Sequence, residues 1–264
     1  MSTPPDTPPP AAEPFAPERY FDERVAARYD DGIRMSCPGY DSLHTMLVPL
    51  LQLLPTQARV LSAGAGTGAE ILALAPRFPG WTFVAIDVAP AMLEVCRRRL
   101  AAAGVADGRV EYFCGRVADY PEGAHFDAAT SIFVGHFIPG PAAKGRYFRS
   151  ITTRLKPGAP LVVADLFGAK ESAEFLELIR PWLAYYISHG TTREKLANDL
   201  DLILRDMDFM PEADILSLLR QAGLVAPLRF FQNFLFGGWI GQTPSPPPAP
   251  ALPESGYPFS RVDS

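Results

Sequence analysis

The chain has 264 residues, a net charge of −5 and 28 prolines. That acidic balance leaves no basic stripe to neutralise phosphates, so no nucleic-acid partner is expected. No run approaches the ~18 apolar residues of a membrane helix and no charged-then-apolar leader opens the chain, so a cytoplasmic protein with no membrane partner is expected.

Half of the prolines sit at the ends, seven in residues 1–18 and seven in 242–264. Proline lacks a backbone donor and fixes its own φ, so both ends are expected to be disordered tails around one domain, 19–241. Three scattered cysteines (Cys37, Cys96, Cys114) and four scattered histidines give neither a disulfide framework nor metal-ligand spacing, and a metal-free protein is expected.

The domain opens on a helical segment, 19–55, rich in charge and in aromatics such as Tyr20, Phe21, Tyr29 and Tyr40. From Ala58 short apolar runs alternate with longer amphipathic ones. Strands are expected over 58–63, 81–87, 109–114, 126–133 and 161–166. Helices are expected over 69–78, from Pro90 to about 104, and over 145–155, where Lys156-Pro157-Gly158 breaks the pattern. Strand and helix in this alternation make a parallel sheet covered on both faces. Residues 170–209 then form a helical insertion carrying Trp182, Tyr185, Tyr186 and His189, followed by a helix over 212–221. Two aromatic runs, 228–232 and 234–240, lie too close together for a crossover and must pair as an antiparallel hairpin. The expected fold is α/β: a Rossmann-like, doubly wound, seven-stranded sheet with one antiparallel strand, plus helical lid segments.

Two features carry chemistry. Gly64-Ala65-Gly66-Thr67-Gly68 follows the first strand and leads into a helix bearing Glu70. Glycines there let backbone approach a ligand at the edge of the sheet. Asp87 ends the second strand, 19 residues after Gly68, where a carboxylate can accept both hydroxyls of a ribose. Together they point to nucleoside binding. For a nicotinamide fingerprint the third glycine falls one place early, with Ala69 in the sixth position, and the closing antiparallel hairpin separates the two readings.

The ordered motifs VLSAGAGTG, AIDVAPAM, the stretch around Gly115–Asp119, FDAATSIF and LKPGAPLVVADLF resemble those of the class I S-adenosylmethionine-dependent methyltransferases over about Ala58–Gly241. Phe21–Ala26, Pro38-Gly39-Tyr40 and Phe231–Phe234 with Phe236-Gly237 are similar to the carboxy-S-adenosylmethionine synthase branch, which makes a carboxylated cofactor from prephenate. This chain departs from that branch at Arg116, where the branch has Asp, and at Ile132, where it has Asn. Arg193 and Arg205 bracket the place of the branch's carboxylate-binding arginine, neither in register.

The resemblance therefore implies S-adenosyl-L-methionine as cofactor and methyl transfer to a small-molecule acceptor, a metabolite or natural product. Carboxy-S-adenosylmethionine synthesis and a non-catalytic cofactor-binding role are the alternatives. Carried over residue by residue, Gly64, Ala65 and Gly66 pass the methionine part, Asp87 holds the ribose, and Val88 and Met92 pack near the adenine. Arg116 and Val117 flank the adenine edge, Tyr40 reaches the methionyl end, and Ile132 and Glu70 lie on the same wall. If the acceptor must lose a proton, the candidate bases are His136, Asp165 and His189. The helical segments leave pairing across a homodimer open.

Overall fold

The computed structural model describes residues 16–121, 123 and 125–245; of the tails expected at 1–18 and 242–264, residues 1–15 and 246–264 lie outside the described residues. Its strands are β1 (Arg59–Ala63), β2 (Thr82–Asp87), β3 (Val110–Cys114), β4 (Ala128–Ile132), β5 (Pro160–Leu166), β6 (Val225–Asn233) and β7 (Phe236–Gln242). They form one sheet in the order β3-β2-β1-β4-β5-β7-β6. The first five run parallel, and β7 runs antiparallel to both its neighbours. That is the expected single reversed strand.

The helices in chain order are α1 (Pro17–Tyr20), α2 (Glu23–Ala26), α3 (Tyr29–Ser36), α4 (Tyr40–Leu51), α5 (Ala69–Leu74), α6 (Pro90–Ala102), α7 (Pro141–Thr152), α8 (Ala173–Ser188), α9 (Arg193–Asp206) and α10 (Glu212–Gln221). Alternation along the strands divides the core between two faces. Val60, Phe83, Ala85, Val162 and Ala164 point to one face, against Leu43 and Leu47 of α4, Ile71 of α5, Leu100 of α6 and Trp182 of α8. Leu61, Val84, Ile86, Leu161 and Val163 point to the other, against Phe148 and Ile151 of α7 and Leu218 of α10. A strand buried on both sides has no polar face to show, which is why these runs read as continuously apolar. Each large side chain so buried contributes about 1.5–3 kcal/mol.

Some boundaries differ from expectation, each for a local reason. β4 stops at Ile132, because Phe133 takes φ 58 and turns the chain out of the ladder. α7 starts at Pro141, four residues early, since proline at the first helical position loses no hydrogen bond. The 170–209 insertion is two helices, the second capped where the Thr192 hydroxyl accepts from Lys195 N. At the ends, α1 begins at Pro17 and β7 continues through Gln242. Thr243 N then donates to Ala159 O at 3.0 Å, so the ordered chain overruns both expected limits, 18 and 242.

The strand order reverses between β1 and β4, leaving a crevice at the carboxyl ends of those strands where open α/β sheets take ligands. Helices α1 to α3 cross over that crevice, α2 packing on α6 and α3 on α4 and α8.

Candidate functional site

After β1 the chain must pass under the loop that follows β4, and only glycine fits. Gly64 has φ +75, and a Cβ added there would lie 2.2 Å from Val134 Cγ2. The turn is pinned by Gly64 N and Ala65 N, both donating to Ile86 O at 2.8 Å. Gly66 N donates to Asp87 Oδ2 at 2.8 Å, and Ala89 N donates to Asp87 Oδ1 at 2.9 Å. Each carboxylate oxygen thus holds one backbone donor and keeps lone-pair capacity for a hydroxyl. Burial pushes the Asp87 pKa up, and the surrounding backbone N–H groups pull it back.

This turn opens onto a cavity of about 650 Å³, within the range of small-molecule sites. Gly64, Gly66, Asp87, Val88, Met92, Arg116, Val117 and Ile132 all border it. Two other expected cofactor residues do not. Ala65 turns into the apolar core. Tyr40 is buried behind the wall, its ring stacked on Phe133 with centroids 6.2 Å apart.

The roof comes from the amino-terminal helices. Phe21 and Tyr29 border the cavity, and Phe21 meets Phe137, in the loop after β4, edge-on at 5.4 Å. A polar tie joins roof to floor as well. Arg99 Nη1 on α6 donates to Thr67 O and Oγ1 at 2.9 and 2.7 Å and pairs with Asp30 of α3 at 2.8 Å. Beneath the turn lies Glu70, whose carboxylate accepts from Ser62 Oγ at 2.8 Å. Glu70 is only 4 % exposed. Burial, aided by the charge on Asp87, pushes its pKa up to about 7.

The three candidate bases separate in space. His136 and Asp165 come together, with His136 Nδ1 2.5 Å and His136 N 3.0 Å from Asp165 Oδ1. Gly135 makes room for the pair: a Cβ there would lie 2.1 Å from Asp165 Oδ2. Both side chains are buried and neither borders the cavity; their contacts fasten the loop after β4 to the end of β5. His189 stands apart, exposed at the C-cap of α8. Its Nδ1 is 2.9 Å from Tyr185 O, and its ring stacks on Tyr185. Of the insertion's aromatics, Trp182 and Tyr186 are buried and none borders the cavity. Trp182 Nε1 donates to Ser36 O, fastening α8 to the end of α3.

Among the lining residues that carry no signal in the sequence are Arg146, Tyr147 and Ser150. They share one side of α7 by helical spacing, and only the packing of α7 beside the 117–119 turn brings that side to the cavity. Among the described residues no group of three or more His, Cys, Asp or Glu is placed to hold a metal ion, and no helix is long and apolar enough to cross a membrane.

Comparison with known proteins agrees with this architecture. Residues 60–158 match a family described as a methyltransferase domain. Over 231 residues the chain is 28 % identical to the carboxy-S-adenosyl-L-methionine synthase of Klebsiella pneumoniae, covering 83 % of this chain and 89 % of that one. Among solved structures, an O-methyltransferase family protein from Burkholderia thailandensis superposes with a TM-score of 0.59 at 19 % identity, over 86 % of this chain. A phosphoethanolamine N-methyltransferase from Haemonchus contortus, solved with phosphomonomethylethanolamine and S-adenosylhomocysteine, gives 0.60 at 16 %, over 85 %. The chain spans 61 % and 58 % of the lengths of those two structures.

Proposed function

We propose a specific reading of a chain that is a class I S-adenosylmethionine-dependent methyltransferase: it methylates a small-molecule acceptor, a metabolite or natural product, taken under the roof of α1 to α3. The observation that carries this reading is the single cavity shared by Gly64, Gly66, Asp87 and the roof residues Phe21 and Tyr29. A crevice closed over by helices suits a compact acceptor.

The residues fit the cofactor. Asp87 offers both oxygens to the ribose hydroxyls, Gly64 and Gly66 keep the wall beside them free of side chains, and Val88, Met92 and Val117 make an apolar slot for the base. When bound, the sulfonium supplies an already activated methyl group. What remains for the protein is to hold the acceptor in line and keep water out, which alone can lower a barrier by about 7–11 kcal/mol.

In this reading the His136–Asp165 pair positions the loop that carries Phe137 and does not exchange a proton with the acceptor. His136→Gln then keeps the shape of the pH profile of kcat, and disappearance of a limb of that profile would show otherwise.

The cofactor assignment is tested by calorimetry with S-adenosylhomocysteine. Binding in the micromolar range is expected, and Asp87→Ala is expected to weaken it at least tenfold, since hydrogen bonds to a charged partner contribute about 1.5–3 kcal/mol. Unchanged affinity would remove the ribose role.

A second reading, synthesis of the carboxylated cofactor, is favoured by the relatives that match most of the chain. Against it, Arg193 and Arg205 do not border the cavity, and Arg205 is paired with Asp201 and Asp206. Mass spectrometry of ligand released from the purified protein separates the two readings by the mass of the carboxyl group.

A further inference from the structure

The base end of the cavity carries two positive charges with no counter-charge paired to them among the described residues. Arg116, just past β3, and Arg146, in the second turn of α7, both border it. Among the described residues, neither guanidinium has a hydrogen bond or ion pair. The nearest acid in sequence, Asp119, is turned back on its own loop, accepting from Arg116 N at 3.3 Å. The carboxylates that do border the cavity are Asp87, at the ribose, and Glu18, on the roof. At the base the charged wall is therefore made of groups that only donate, five N–H per guanidinium and no acceptor.

A purine presents two kinds of group along its outer edge. N7 accepts a hydrogen bond in either base, while N1 accepts in adenine and carries a proton in a 6-oxopurine. At position 6 an adenine presents an amino donor, whereas a 6-oxopurine presents an acceptor oxygen. Guanidinium groups match N7 of either base, N1 of adenine and the oxygen of a 6-oxopurine. They give the amino group no partner.

We propose that Arg116 and Arg146 set the base specificity of this cofactor site, reading the purine through its acceptors and leaving the exocyclic amino group unrecognised. The proposal rests on the cofactor reading above. It makes the site tolerant of a 6-oxopurine nucleoside where a site with a carboxylate at that edge rejects one.

The experiment is titration calorimetry of the full chain with two ligands, S-adenosyl-L-homocysteine and its deaminated counterpart S-inosyl-L-homocysteine. The expected result is two affinities within about threefold of each other. Arg116→Asp places an acceptor where the amino group arrives, and is expected to shift the ratio at least tenfold toward the adenosyl ligand, the worth of about one hydrogen bond. Arg146→Gln, at an exposed position on α7, is expected to weaken the inosyl ligand more than the adenosyl one. A wild-type preference of more than tenfold for the adenosyl ligand would overturn the proposal while leaving the cofactor reading intact. So would an identical ratio in the wild type and both variants. Failure of both ligands to bind would instead take down the cofactor reading and this inference with it.

Discussion

Glu70 shows what one buried carboxyl does to the whole molecule. Its pKa rises from 4.5 in the unfolded chain to about 7 in the fold. The folded protein thus holds this proton more tightly than the unfolded one, so the group's contribution is fully present below pH 4.5 and is lost as pH rises through about 7. The shift corresponds to about 3 kcal/mol across that window. Relative to Glu70→Gln, which cannot ionise, the wild type should lose stability on that scale between acidic and mildly alkaline buffer. Urea denaturation of both proteins at pH 5 and pH 8 measures it, and a constant difference between the two curves would contradict the shift. At this scale the place of Asp87 beside the cavity was legible in the sequence, because it needs only a strand end and a glycine turn at a set spacing. The burial of Glu70 was not, since the 4 % exposure arises only when α5 folds back over Ser62. Arg146 was equally silent, being one arginine among many until α7 is docked.

Between elements, the tie that deserves testing is the one joining roof to turn. Arg99 reaches from α6 to both Thr67, inside the glycine turn after β1, and Asp30, on the roof helix α3. Its side chain is 27 % exposed and that of Asp30 17 %, so solvent screens the pair only in part. Asp30→Asn and Arg99→Gln should each weaken S-adenosylhomocysteine binding about fivefold, and the double variant should do little worse than either single one. Such a cycle reports a coupling of about 1 kcal/mol. Strictly additive losses would mean that roof and turn act separately. Element order was the most legible part of the fold: from β1 onward every strand, and every helix apart from the division of the insertion into α8 and α9, follows from periodicity and from the proline and glycine punctuation. What failed locally were ends governed by tertiary contact. β4 is cut short by the backbone of Phe133, and the α8–α9 break falls at His189–Thr192, where a single continuous insertion was expected. The same break explains why His189 lies away from the site: it terminates a helix and does not reach across the cavity.

At the scale of the molecule, the question is which parts of the chain the cofactor cavity requires. Its floor comes from the ends of β1, β2 and β4, one side from α7, and its roof from α1, the segment after it and α3. The roof is short in sequence but touches the site several times: Phe21 on Phe137, Tyr29 at the cavity, and Asp30 on Arg99. Buried contacts on the far side of the same segment hold it down, among them Ala26 against Met92 on α6 and Trp182 bonded to Ser36. Removing 19–40 deletes all of these at once and uncovers the apolar faces of α4, α6 and α8. Removing 1–14 and 246–264 leaves in place every described residue that borders the cavity and every described strand of the sheet. The two truncations should therefore behave oppositely. The doubly trimmed chain, 15–245, is expected to bind S-adenosylhomocysteine within about twofold of the full chain, whereas the chain lacking 19–40 should bind at least a hundredfold more weakly or not at all. Far-ultraviolet circular dichroism on the same samples keeps the outcome interpretable. A chain lacking 19–40 that retains its sheet signal but loses binding locates the requirement in the roof. Full affinity in that truncated chain would mean that the sheet's own crevice suffices and that α1 to α3 serve only the acceptor.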